Sequence, residues 1–244
     1  MRTSNPFLTS DAFSGSRGTA SQAVMTVQGV VNRTAILLAT LLLSSSWVWG
    51  RAMAGAPIQG MLLLGVFGGF IVALITVFKK TWAPITAPIY AALEGLALGG
   101  ISAVLEQRYP GIVVQAVSLT FGTLAALLMA YSSHLIRVTQ NFRLGIVAAT
   151  GGICLVYLTS WILSFFGVRT PFLYDSSPLS IGISVFIVII AALNLVLDFD
   201  FIEQGAEAQL PKYMEWYAAF GLMVTLVWLY LEIIRLLSKL RSRR

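Results

Sequence analysis

Ten acidic residues stand in a chain of 244, and three of them fall inside long apolar runs. Glu94 has 13 uncharged residues before it and 11 after it. Asp198 closes an uncharged run of 22 residues, and Glu232 closes one of 16. An ionisable group at the centre of a membrane helix costs about 2.5–3.5 kcal/mol on insertion scales, so such groups persist where they pair, hydrate or work. Burial and neighbouring like charge favour the protonated carboxyl. Two close acids that hold one proton titrate as a coupled pair. The chemistry on offer is therefore protonation that gates a path, or the binding of a cation.

The neighbours of these acids sharpen the reading. Asn194 and Asp198 share a helical face at i, i+4, whereas Asp200 points about 200° away and lies with Glu203 and Glu207 on a polar face that leads into a loop. Asp198 is the inward acid and Asp200 the acid of a solvated helix end. Arg235 follows Glu232 at i+3 and can pair with it. Glu94 has Tyr90 and Leu98 at i−4 and i+4 and flanks a row of small residues, so it faces the bundle. The one histidine, His134, follows Ser132 and Ser133 and suits an interface better than a ligand set; Cys154 suits a small apolar packing role. A single cysteine excludes a disulfide framework and a cysteine zinc site. The sequence holds no Walker loop, no HExxH and no Ser/His/Asp arrangement, which argues against an enzyme and against a resident cofactor or metal.

The elements that carry these residues follow from the spacing of charge. Only 11% of residues are charged and 57% are hydrophobic, with a mean hydropathy of +0.84. A soluble domain carries about a quarter charged residues, so soluble enzymes, disordered chains and basic nucleic-acid binders are excluded. Seven stretches of 16 to 28 residues lie between successive charges, one broken only by Glu94. A membrane helix needs about 20 apolar residues, and backbone in lipid must satisfy its own hydrogen bonds. Continuous runs such as Leu41-Leu42-Leu43 and Ile187-Val188-Ile189-Ile190 lack the alternation of a barrel strand. The predicted fold is an all-α polytopic membrane protein, a seven-transmembrane-helix bundle over residues 31–240. Residues 1–30 read as a mobile tail and 241–244 as a basic one.

The net charge of +6 is a matter of position. With the N-terminus in the cytoplasm, that side holds Arg2, Arg17, Arg33, Lys79, Lys80, Arg137, Arg143 and Lys212, against Arg51, Arg108 and Arg169 opposite. The short loops thus place the N-terminus in the cytoplasm. The tail, with Arg235, Lys239, Arg241, Arg243 and Arg244, pulls the other way. The first residues lack the apolar core of a cleaved signal peptide, so the first span is expected to be an uncleaved anchor. Small residues mark helix contacts in lipid. Ala91, Gly95, Gly99 and Ala103 form such a row on the third span, with shorter versions at Gly65 and Gly69 and at Ala148 and Gly152. They favour a compact monomer over a dimer.

The stretch from Leu197 through Asp198, Asp200 and Glu203 to Gly205, then Lys212-Tyr213-Met214-Glu215-Trp216, then Tyr230-Leu231-Glu232-Ile233-Ile234-Arg235-Leu236-Leu237, resembles the end of the Bax inhibitor-1 family. Glu94-Gly95-Leu96-Ala97-Leu98-Gly99 resembles the acid-glycine segment of an early span there. The resemblance covers roughly residues 32–240 and is that of a bacterial-type member. It implies seven helices around a central last helix, pH-sensitive calcium leak, cell-death or stress control, and, for some bacterial members, association with a membrane protease. It also implies a proton-sharing latch, which by motif position would join Asp198 to Glu232. This chain has Glu where well-known members have Asp on the last span, and its last loop looks longer. With a hairpin apex near Leu210, the two acids differ by ten residues of helix, about 15 Å of depth, so a direct pair requires tilt; otherwise Glu94 with Asp198 is the better pair.

The expected function is a pH-sensitive cation leak channel, calcium being the transported ion, in a bacterial inner (plasma) membrane. Its site is Asp198, Glu232 and Glu94, supported by Asp200, Asn194 and Arg235. The alternative is a non-transporting regulator that binds a membrane protease or stress-response partner through its tail and loops. A proton-coupled carrier is disfavoured by the lack of detectable inverted repeats.

Overall fold

The computed structural model describes residues 24–167, 173 and 175–243, and these contain seven helices long and apolar enough to cross a membrane. They are α1 (Val27–Met53), α2 (Gln59–Phe78), α3 (Ala83–Arg108), α4 (Ile112–Ser132), α5 (Gln140–Phe165), α6 (Pro178–Glu207) and α7 (Met214–Ser242). Apart from that between α5 and α6, connections are short and the helices they join run up and down, and the α6–α7 loop sits at the end where α1 begins; that end is here called proximal and the other distal. Thr26 caps α1 by accepting from Gly29 N at 3.0 Å, so the helix begins four residues inside the stretch expected as tail. Residues 1–23 of that tail lie outside the described residues, as does Arg244, while 241 and 242 continue α7.

α7 is the centre of the bundle. Its most apolar window is 61% buried, against 17% for α2, α4 and α5. Met223, Leu226, Leu229, Ile233 and Ile234 anchor the main core with Leu37 of α1, Ala91 of α3 and Leu195 of α6. The row of small residues on α3 brings it against α1: a Cβ on Gly95 would overlap Ser44 and the Leu41 carbonyl, and one on Gly99 would meet the Ser45 backbone. Gly65 lets α2 approach the backbone of Leu93 and Ala97 on α3, within a π-helical turn at Leu64–Gly68. The row on α5 behaves otherwise. Ala148 is exposed and Gly152 meets nothing within 4 Å, so this face looks out of the bundle. α5 packs mainly on α6, through Ile146 and Ile153 against Ile187 and Ile190.

Loops are tied down by side chains. Glu106 accepts from Gly111 N at 2.5 Å and Val113 N at 3.0 Å, which satisfies open donors at the start of α4. Gly111 has φ +80°, a conformation that glycine adopts without strain. At the distal end Arg241 donates to the Pro110 carbonyl at 2.6 Å and to Gln115 at 2.9 Å.

Candidate functional site

α6 and α7 run antiparallel, and their facing sides carry a column of polar residues. On α6, Ser180 and Asp198 lie 18 residues apart, five full turns, with Ser184 close to the same face. On α7, Thr225, Glu232 and Lys239 recur every seven residues and share a face. Thr225 is the neighbour of Asp198 across the seam, and its hydroxyl donates to the Gly221 carbonyl at 3.3 Å. The second carboxylate oxygen of Asp198, Oδ2, is buried and has no hydrogen-bond partner. Lys239 donates to Ser184 Oγ at 2.7 Å.

These contacts set one register: position 198 faces 225, and 184 faces 239. In that register Glu232 lies opposite Ala191, which is fully buried. Asp198 and Glu232 are therefore not brought together; seven residues of α7, about 10 Å, separate Glu232 from Thr225. Glu232 is 2% exposed and is satisfied otherwise. Arg235 Nη1 reaches its two oxygens at 3.0 and 3.1 Å, and Tyr157 of α5 donates to the same oxygens at 3.0 and 3.1 Å. Arg235 also donates to the Tyr157 hydroxyl at 2.5 Å and lies over its ring at 5.1 Å. The i+3 ion pair anticipated from sequence is present, and it occupies the acid that the family resemblance assigned to a latch.

Glu94 stands apart. Its carboxylate has Tyr90 as a neighbour one turn earlier and lies beside Gly69 of α2, just past the π-helical turn. Tyr90 packs edge-on against Phe220 of α7, centroids 5.0 Å apart. Glu94 is thus between α2 and α3, away from the α6–α7 column. Asn194 diverges from Asp198 as well: its amide donates to Thr150 of α5 and to the Ile190 carbonyl, both at 2.8 Å. Asp200 is not merely a solvated helix end. Arg143 at the start of α5 bonds it at 2.5 Å, and Gln204 donates to it at 2.9 Å. Nearby, Tyr131 donates to Glu203.

Two charged groups escaped the sequence reading. Glu215 is fully buried at the proximal end of α7. Its Oε1 accepts from Lys212 Nζ at 2.7 Å, Thr26 N at 3.1 Å and Thr26 Oγ1 at 3.0 Å, and Arg33 lies 3.9 Å from Oε2. Gly29 leaves the room this carboxylate fills. Lys239, counted with the basic tail, is 5% exposed. The seven-residue spacing from Thr225 through Glu232 was the available signal for it. Among the described residues, no group of three or more His, Cys, Asp or Glu is arranged to hold a metal ion.

Two apolar cavities lie beside α7, between α1 and α4. One of about 350 Å³ ends at Ser102, Glu106 and Tyr230. The other, about 570 Å³, ends at Tyr131, His134 and Glu203.

A buried central helix packed against α1, α3, α4 and α6, with ionisable groups on its inner face, defines an integral membrane protein of seven spans with a polar seam at its core. The chain belongs to the Bax inhibitor 1 like family, whose family model matches residues 5–242. No curated protein and no solved structure matches it.

Proposed function

We propose that this protein is a pH-responsive cation leak, with calcium as the ion, whose sensing group is Asp198. The observation that carries this is the Asp198 carboxylate: mid-helix, on the seam between α6 and the central α7, with Oδ2 buried and unpartnered. An acid placed this way has no fixed counter-charge, so its protonation state changes the charge of the seam. Rising pH ionises it, which loads a cation or separates the helices; falling pH neutralises it and closes the seam. Glu232, held by Arg235 and Tyr157, serves as a fixed point of the path rather than its sensor. The loop charges support a cytoplasmic N-terminus in a bacterial inner membrane. Calcium flux into liposomes across pH 6–8 tests the reading. Wild type should show flux that rises with pH and Asp198→Asn should not; equal flux at every pH in both would overturn it.

A second reading has its own support. The segment before α1 is stitched to the α6–α7 loop: Met25 N donates to the Leu210 carbonyl at 2.7 Å, Val24 bridges Pro211, and Thr26 holds Glu215. A partner such as a membrane protease that grips the tail would pull directly on α7. Removing residues 2–23 separates the two readings, because partner binding would be lost while the flux of a channel core would remain.

A further inference from the structure

Lysines near the end of a membrane helix normally extend to the interface. Lys239 does the reverse. Its ammonium has three N–H groups, and three neutral oxygens receive them: the Leu173 carbonyl at 2.7 Å, Ser184 Oγ at 2.7 Å and Ser180 Oγ at 2.8 Å. The Ser180 carbonyl stands further off at 3.4 Å. Among the described residues no carboxylate lies within ion-pair distance of it. The charged groups around it are Arg235, engaged with Glu232, and Asp175 of the loop.

Oxygens converging on a desolvated positive charge, without an anion among them, have the chemistry of a cation site built from carbonyls and hydroxyls. Three positions supply them: Leu173 ahead of α6, the first turn of α6 and its second turn. We propose that this cage at the distal end of α6 and α7 is a monovalent-cation site which the protein fills with its own lysine. Distances of 2.7–2.8 Å fit ammonium or an ion of similar size; magnesium and calcium bind oxygen at about 2.0–2.1 and 2.3–2.6 Å and draw on carboxylates. Lys239 and a free monovalent cation then compete for one position, and the free ion releases the last turns of α7 from α6. The inference is independent of whether the protein conducts ions.

The test is the thermal unfolding midpoint of purified Lys239→Ala in detergent, in chloride salts of potassium, ethylammonium or N-methylglucamine at equal ionic strength. In N-methylglucamine the variant should melt below wild type. Ethylammonium or potassium, at about 100 times its Kd, should raise the midpoint by roughly 5–10 °C. Wild type, whose own ammonium holds the cage, should shift less than the variant, and adding Ser184→Ala to the variant should abolish the rise. A folded Lys239→Ala protein with one midpoint in all three salts overturns the proposal. If that variant does not fold, reductive methylation of wild type decides. Potassium should speed modification of Lys239 relative to choline, a quaternary ammonium that formaldehyde does not modify, while Lys212 is unaffected, and equal rates at Lys239 in the two salts overturn the proposal.

Discussion

Thr225 stands beside Asp198 across the α6–α7 seam, so its hydroxyl should matter beyond its size. Thr225→Val keeps the shape and removes the hydroxyl beside a buried acid, which costs about 1–3 kcal/mol. The expected outcomes are a lower thermal midpoint and a displaced pH profile of calcium flux, with Thr225→Ser restoring both. Tyr157→Phe makes the contrast. It removes a hydroxyl bonded to Glu232 and Arg235 and should lower stability by about 1.5–3 kcal/mol, yet leave the flux profile in place, since the Glu232–Arg235 pair persists within α7. The acids themselves were legible in the sequence because charge within an apolar run is conspicuous. Their partners were legible only within a helix. Arg235 could be named from its i+3 spacing, whereas Tyr157, Thr225 and Thr26 depend on how separate helices are rotated against one another, which periodicity does not encode.

The register of α6 on α7 can be read directly by crosslinking. With the exposed Cys154 replaced by Ser, cysteines at 198 and 225 should form a disulfide under mild oxidation, and cysteines at 198 and 232 should not. The reverse outcome would restore the direct acid latch. The two kinds of small-residue row also differ in consequence. Gly95→Leu drives a side chain into Ser44 and the Leu41 backbone and should abolish the folded, monodisperse protein on size exclusion. Gly152→Leu points into open space and should leave the elution profile unchanged. All seven helices follow from charge spacing, because lipid permits no other backbone solution for such runs. Which small-residue rows are packed does not follow: Gly95 and Gly152 look alike in sequence, and only the crowding around α3, beside the most buried helix, separates them.

At the scale of the molecule, seven crossings predict that the start of α1 and the end of α7 lie on opposite sides of the membrane. A side-sensitive reporter after residue 244 and a labelled cysteine near residue 2 should therefore give opposite signals; like signals would mean that α7 does not cross. The basic tail argued against this arrangement, but two of its cations are otherwise engaged: Lys239 inside the cage and Arg241 on the α3–α4 loop. The knot between Thr26 and Glu215 adds a matter of timing. The two residues are 189 positions apart, and chains are made at about 5–20 residues per second. The first membrane helix must therefore wait for roughly 10–40 s, with its leading residues unsecured, until the last one arrives from the ribosome to fasten it.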